Sequence, residues 1–236
     1  MEVVLVHSGV TDSREWDGVK PLLEREHSVF ALDLPGHGER AWEPGEVSLA
    51  DVVLEPDFAR AVLAGVSFGA RAVLEAALQA PERVAALVLV SANVFGWSEE
   101  VAANGAREEE LFDAGRFDEA AELMVASWLA GPHRRPEDVD ATLRARVRAM
   151  QVRAYELERA DASVKRVELD LSRVASPTLL IRGALDFDDV ARASERFLRE
   201  LPDAREVVFA DCAHLPAMEQ PERFAAVLLE FLATLR

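Results

Sequence analysis

Short apolar runs that alternate with helix-forming segments are the feature that most constrains the fold of this chain. Each run is continuous rather than alternating, which is typical of parallel strands covered on both faces. The runs lie at residues 3–6, 29–32, 61–64, 86–90, 178–181 and 206–209. Strands and helices in alternation predict an α/β fold with a doubly wound, mostly parallel sheet.

Helical patterns lie between and after these runs. Residues 70–80 are rich in good helix formers and stop before Pro81, and residues 191–201 end at Pro202. Residues 221–235 open with a proline at the first helical position and carry Phe224, Val227, Leu228 and Phe231 on one face. These segments are expected to cover the sheet.

The region from residue 94 to residue 170 does not follow this alternation of strands and helices. It contains no convincing strand and favours three or four helices, the clearest of which is predicted to start at Pro136. The apolar stripe of that helix is Val139, Leu143, Val147, Met150, Ala154 and Leu157. We therefore expect a core made of residues 1–93 and 171–236, with residues 94–170 inserted as a helical lid before the strand at 178–181.

Charge and composition exclude several functions. The net charge of −17 argues against binding to nucleic acid or to an anionic membrane surface. The one cysteine, Cys212, cannot form an internal disulfide, and no run approaches the ~20 apolar residues that span a bilayer. The sequence predicts a cytoplasmic protein with a small-molecule substrate and no metal or cofactor.

A serine lies at a tight turn between a predicted strand and a predicted helix. In Gly65-Val66-Ser67-Phe68-Gly69 the hydroxyl of Ser67 is expected at the carboxyl edge of the sheet, where the flanking glycines relieve backbone crowding. The turn also lies at a helix N-terminus, which favours a developing negative charge. Ser67 is therefore the candidate nucleophile.

Serine needs a base, and the base needs a carboxylate to orient it. His214 follows the last predicted strand, and Asp186 follows the strand at 178–181, so both are expected at the edge that carries Ser67. Asp188 and Asp189 are close rivals of Asp186. The order serine, acid, histidine is the one described for hydrolases with this serine turn.

An acyl-transfer site also needs two backbone donors for the oxyanion. One is expected to be the N–H of Phe68, and the other is expected in the loop after the first strand, at Gly9 or, as second choice, Val10. His7, in the same loop, is expected to brace it by hydrogen bonds.

Together these segments resemble the signature blocks of the α/β-hydrolase superfamily of the serine-nucleophile, helical-lid type. The blocks are His7-Ser8-Gly9, the Asp33 to Gly38 segment, Gly65 to Gly69, Gly183 to Asp186 and His214-Leu215-Pro216. The resemblance implies a carboxylesterase-like enzyme that acts on ester bonds through an acyl-enzyme, with Asp33 and His37 as scaffold.

Three matters stay open at this point. The first is the reaction, for which an ester or lactone hydrolase has two alternatives. One is an enol-lactone or carbon–carbon bond hydrolase with the same triad, and the other is a non-catalytic ligand-binding member of the fold. The chain begins almost at the oxyanion-loop strand, so the sheet is expected to be N-terminally trimmed, and a homodimer would cover its exposed edge. Large lid residues are expected to line the substrate pocket, namely Phe95, Trp97, Met124, Trp128 and Met150.

Overall fold

A six-stranded parallel sheet forms the centre of the molecule. The computed structural model describes residues 1–235, and residue 236, the last of the predicted core segment, lies outside the described residues. The sheet has the order β2-β1-β4-β5-β7-β8, and every neighbouring pair is parallel. Its strands are β1 (Glu2–Val6), β2 (Ser28–Leu32), β4 (Ala61–Val66), β5 (Val84–Val90), β7 (Thr178–Gly183) and β8 (Ala204–Phe209). Each of the six apolar runs forms one of them, so the predicted sheet is confirmed.

The sheet is buried on both faces, which explains why its strands read as continuous apolar runs. Val3 and Leu5 join one hydrophobic cluster, while Val4 and Val6 join another. Successive side chains of a strand point to opposite faces, so the two clusters lie on opposite sides of the sheet. From Val3 to Val6, burial on both sides leaves no position of β1 where an unpaired polar side chain would be tolerated.

Helices from the two ends and the middle of the chain cover these faces. Residues of the last helix belong to the first cluster, and residues of the helices after Ser48, Ser67 and Phe187 belong to the second. These helices are α1 (Lys20–Leu23), α2 (Leu49–Leu54), α3 (Phe68–Gln79), α7 (Asp188–Glu200), α8 (Pro216–Glu219) and α9 (Pro221–Thr234).

The connection between β5 and β7 is mostly helical. It contains α4 (Glu99–Asp113), α5 (Phe117–Met124), a π-helical stretch (Val125–Ala130) and α6 (Ala141–Leu157). The prediction that the clearest helix starts at Pro136 was wrong, because Pro136 opens only a 3₁₀ turn, Pro136–Asp138. The helix begins after Asp140, whose carboxylate accepts the N–H of Leu143 at 2.8 Å and caps it.

The expectation that this connection contains no strand was also wrong. A three-residue strand, β6 (Ala162–Val164), pairs in parallel with β3 (Gly45–Val47) and forms a second, small sheet. Both strands are too short and too exposed to leave a periodic pattern. Their pairing is long-range, so neither strand could be read from its own sequence.

The edges of the main sheet are β2 and β8. Four of the five residues of β2 are half-buried and one is exposed. None of the helices in residues 1–235 is both long enough and apolar enough to cross a membrane.

Candidate active site

Four loops meet at the carboxyl edge of the main sheet. They follow β1, β4, β7 and β8, and they carry Gly9, Ser67, Asp186 and His214 respectively. Because all six strands are parallel, their carboxyl ends lie along one edge, which is where ligands bind in open α/β sheets. Side chains that are far apart in the chain are therefore neighbours.

Ser67 lies in a strained turn between β4 and α3. Its φ and ψ are 52° and −106°. This conformation is unfavourable for any residue that has a Cβ atom, and it persists only where the surrounding structure enforces it. The Ser67 N–H donates to the carbonyl of Val90 at 2.8 Å. A Cβ on Gly65 would lie 2.2 Å from the Gly69 oxygen, and one on Gly69 would lie 2.4 Å from the His7 oxygen. The turn therefore requires glycine at both flanking positions.

His214 and Asp186 form a buried pair. The Nδ1 atom of His214 lies 2.7 Å from Oδ2 of Asp186, and the two side chains are each 2% exposed. A carboxylate only accepts, so Nδ1 carries the proton and Nε2 is left as the basic nitrogen. The other oxygen of Asp186 accepts the N–H of Phe187 at 2.8 Å, which fixes the carboxylate.

The rival carboxylates have other positions. Asp189 accepts the N–H and the hydroxyl of Ser98 at 2.8 and 2.9 Å and pairs with Arg192, so it anchors the start of α4. These bonds keep the pKa of Asp189 below its usual value although burial raises it. Asp188 is exposed at the start of α7. Asp186 is the carboxylate that contacts the imidazole.

The loop after β1 lies against the serine turn. A Cβ on Gly9 would be 3.6 Å from the Cβ of Phe68, so the backbones of these two residues are adjacent. The first N–H groups of α3, including that of Phe68, have no partner inside the helix. His37 Nε2 lies 3.1 Å from the Gly9 carbonyl and holds the loop from the other side.

His7 holds this loop as a neutral imidazole. Its Nε2 accepts the N–H of Leu34 at 2.9 Å, and its Nδ1 lies 2.6 Å from the carbonyl of Ser8. Burial and, to a smaller extent, the neighbouring His37 lower the pKa of His7 to about 3. Asp33 accepts the backbone N–H groups of Ser13 and Glu39 at 2.7 and 3.0 Å.

A buried carboxyl group behind the loop, that of Glu15, was not predicted from the sequence. Its Oε2 accepts the N–H of Ser8 at 2.8 Å and the hydroxyl of Thr11 at 2.5 Å. Burial raises the pKa of Glu15 to about 7, although these hydrogen bonds and the nearby His214 lower it. The sequence shows only that Glu15 precedes a tryptophan, Trp16, and the structure shows that this tryptophan is fully buried.

The loop of His214 is held by a second pair that the sequence did not reveal. Arg134 forms a salt bridge with Glu219, and Glu219 accepts the N–H of Ala213 at 2.8 Å. Arg134 also donates to the carbonyls of Leu129 and Ala130 at 2.5 and 2.9 Å, at the end of the π-helical stretch. The pair therefore ties the β5–β7 connection to the loop that carries the imidazole.

A pocket of about 250 Å³ contains both Ser67 and His214. Among the expected pocket residues, Trp97, Met124 and Trp128 line it. The Trp128 ring lies 4.5 Å from the His214 ring, centroid to centroid. Phe95 instead packs on Phe197, and Met150 is buried with 1% of its surface exposed.

The described residues offer no metal site. Within residues 1–235, no group of three or more His, Cys, Asp or Glu side chains is arranged to hold a metal ion. Cys212 is buried, and burial raises the pKa of its thiol to about 12, which makes it unreactive.

The sequence profile described as the Alpha/beta hydrolase family matches residues 3–227. The chain belongs to the α/β hydrolase family. This hydrolase is 29% identical to a pimeloyl-[acyl-carrier protein] methyl ester esterase of Nitrosomonas europaea, over 95% of this chain and 93% of the relative.

Solved structures agree with that assignment. A thermophilic esterase from Thermogutta terrifontis, with malate bound, is 27% identical and superposes with a TM-score of 0.78, over 100% of this chain and 90% of the other. A hydrolase from Pseudomonas aeruginosa is 28% identical with a TM-score of 0.77, over 98% and 89% of the two chains. The chain is a carboxylesterase-like α/β hydrolase.

Proposed function

We propose that this hydrolase cleaves a small carboxylic ester or lactone through an acyl-enzyme on Ser67. The observation that carries the proposal is that a serine in a strained turn shares a pocket with an imidazole bound to a buried carboxylate. The esterase name of the Nitrosomonas relative favours an ester bond over a carbon–carbon bond.

The chemistry follows from the positions of the groups. His214 Nε2 takes the proton of Ser67 as its Oγ attacks the ester carbonyl carbon, and Asp186 stabilises the imidazolium that forms. The N–H groups of Phe68 and Gly9 stabilise the oxyanion. The tetrahedral intermediate collapses, the C–O bond breaks, and the alcohol leaves with the proton from His214. Water then attacks the acyl-enzyme and gives a proton to His214. The bond between the acyl carbon and Ser67 Oγ breaks, His214 returns the proton to Oγ, and the acid is released.

We further propose that residues 94–170 act as a lid on this site. Trp97, Met124 and Trp128 reach the pocket from this segment, and Trp97 is 40% exposed. Large apolar side chains at the mouth of a polar site suit a substrate with an apolar half.

The decisive experiment labels the protein with a fluorophosphonate and measures hydrolysis of short and medium 4-nitrophenyl esters, for the wild type and Ser67→Ala. We expect labelling and turnover in the wild type, and the loss of both in the variant, by at least ~1,000-fold in kcat. Ser91→Ala is the matched control, since Ser91 is a serine that also has positive φ but is fully buried after β5. Turnover that survives in Ser67→Ala removes Ser67 from the mechanism. A wild type that neither labels nor turns over any ester makes it a ligand-binding member of the fold.

A further inference from the structure

Two cavities meet at Ser67, and they share three lining residues. One is the pocket that contains His214, and the other is a pocket of about 290 Å³ that extends toward α3 and the residues after β5. Ser67, Phe68 and Trp97 line both. An ester has two halves on either side of its carbonyl carbon, so one half can occupy each pocket while the carbonyl carbon faces Ser67.

The pocket toward α3 carries positive charge. Arg71 lines it. The backbone N–H of Arg71 donates to the backbone carbonyl of Ser67 at 3.2 Å, so the arginine is one helical turn beyond the serine. The pocket leads into a groove of about 670 Å³ that is lined by Arg71, Lys165 and Arg166, with Glu168 as an opposing charge. The groove thus gathers three cations in a chain with 26 Lys and Arg against 43 Asp and Glu, and Arg71 lines both the groove and the pocket that contains Ser67.

The guanidinium of Arg71 is held in place. Its Nε lies 2.8 Å from Glu75 Oε1, and its Nη2 donates to the carbonyl of Val167 at 2.8 Å. Burial raises the pKa of Glu75, and Arg71 lowers it. A fixed guanidinium that is one-third exposed loses little side-chain entropy when it binds a second anion.

Among the described residues, 1–235, the pocket that contains His214 is lined by a carboxyl group and by no lysine or arginine. Glu108 is the acidic side chain that lines it, and the hydroxyl of Tyr155 donates to Glu108 Oε1 at 2.6 Å. Burial raises the pKa of Glu108, while the hydrogen bond from Tyr155 lowers it. The remaining walls are largely apolar, from Val10, Phe68, Trp97, Met124 and Trp128. An anion in this pocket would approach a carboxyl group across an apolar space and find no cation.

We propose that the preferred substrate is an ester with a carboxylate on one half, which binds along Arg71, Lys165 and Arg166 while the apolar half fills the pocket lined by Glu108. The inference rests on the proposed ester hydrolysis at Ser67. The cations beside one pocket and the carboxyl group in the other set the direction in which the ester binds, since the reversed orientation places its carboxylate beside Glu108 and away from every cation of the groove.

Two pairs of matched esters test the inference, because the carboxylate can be on either half. One pair is monomethyl glutarate and methyl pentanoate, and the other is 4-acetoxybutanoate and butyl acetate. The readout is the ratio of kcat/KM for the charged ester over its neutral partner. We expect this ratio to be above one in at least one pair, and to fall ~10-fold or more in Arg71→Gln.

A second variant covers the case in which Arg71→Gln fails to fold because it leaves Glu75 unpaired. Lys165→Gln/Arg166→Gln changes two exposed residues, and we expect the ratio to fall ~2- to 5-fold at low salt and less at 1 M NaCl. Arg25→Gln/Arg199→Gln removes the same charge from exposed positions on α7 and near α1, and should leave the ratio unchanged.

A wild type that turns over the neutral esters but prefers them in both pairs overturns the inference and leaves the proposed function intact. A ratio that falls equally in the Arg25→Gln/Arg199→Gln control also overturns it, since the effect is then one of net charge. A wild type that hydrolyses none of the four esters and takes no fluorophosphonate contradicts the proposed function instead.

Discussion

Two buried histidines at the same edge of the sheet, His7 and His214, have opposite environments. His7 is 0% exposed and His214 is 2% exposed, so burial alone does not separate them. His7 faces a backbone donor and a backbone carbonyl, whereas His214 faces the carboxylate of Asp186. A buried imidazole can therefore accept a proton during turnover only where a carboxylate compensates its charge. Without one it serves as a neutral scaffold.

The largest expected effect removes the carboxylate that distinguishes His214. Asp186→Asn keeps the size of the side chain but favours the wrong imidazole tautomer, so we expect kcat for a 4-nitrophenyl ester to fall by about 10,000-fold. Asp188→Asn, the same change at an exposed position two residues away, is the control and should retain wild-type kcat. A kcat for Asp186→Asn within ten-fold of the wild type would remove the distinction between the two histidines.

The second prediction concerns stability at His7. In His7→Gln the shorter, differently shaped side chain cannot form both buried hydrogen bonds of the imidazole with good geometry. We expect the free energy of unfolding to be about 2 to 4 kcal/mol lower than that of the wild type at pH 7.5. The pKa of His7 is about 3 in the folded chain and 6.5 as its ordinary value, so between these values only the unfolded chain binds the proton. His7 therefore lowers the wild type's stability by up to about 1.4 kcal/mol per pH unit as pH falls from 6.5 toward 3.

Denaturant titrations at several pH values measure this contribution. The gap between the wild type and His7→Gln should be widest above pH 6.5 and shrink as the solution becomes more acidic. Glu15 has a pKa raised to about 7 and acts in the opposite direction, but it is present in both proteins. His133→Gln, at an exposed histidine, should parallel the wild type throughout. A gap that is constant with pH would mean that His7 is not kept neutral by burial.

The third and smallest effect is at Glu15, which interacts with the surroundings of both histidines. Its carboxyl group accepts the N–H of Ser8, the residue after His7, and interacts electrostatically with His214. Glu15→Gln keeps the acceptor for Ser8 and Thr11 but cannot ionise. Above pH 7 the wild-type carboxylate stabilises the imidazolium that forms on His214, so we expect the variant's kcat/KM to be about 3- to 10-fold lower at pH 8.5 and closer to the wild type at pH 6.

Stability should move the other way in the same variant. The folded pKa of Glu15 is raised, so its favourable contribution is complete below about pH 4.5 and is lost as pH rises through 7. Relative to the wild type, Glu15→Gln should therefore gain free energy of unfolding between pH 5 and pH 8. A pH–rate profile parallel to that of the wild type would show that the charge of Glu15 does not reach His214.

The sequence predicted the sheet and the three longest helices that cover it, α3, α7 and α9, because these depend on local patterns. Continuous apolar runs marked all six strands of the main sheet, and prolines marked the ends of α3 and α7. The start of α6 was misplaced because Pro136 and Asp140 both give helix-start signals and only Asp140 caps the helix. The pair β3 and β6 was missed because three residues carry no period.

The residues around the candidate site divide in the same way. Ser67, Asp186 and His214 follow strands and lie in motifs, so their places in the sequence were sufficient to select them. Glu15, Glu108 and the Arg134–Glu219 pair carry no motif, and each is defined by partners from another element. Phe95 and Met150 looked like pocket residues by size, but size does not tell which surface a side chain packs on.

The sequence by itself determined that this chain is an α/β hydrolase and which of its serines, histidines and carboxylates lie at one edge of the sheet. Only the tertiary structure decided which buried ionisable groups are neutral and which face a counter-charge, and that Ser67 lies between a cationic and an acidic pocket. The physical reason is range. Strand and helix patterns arise from neighbours along the chain, whereas burial and electrostatic fields are sums over groups that only folding brings together.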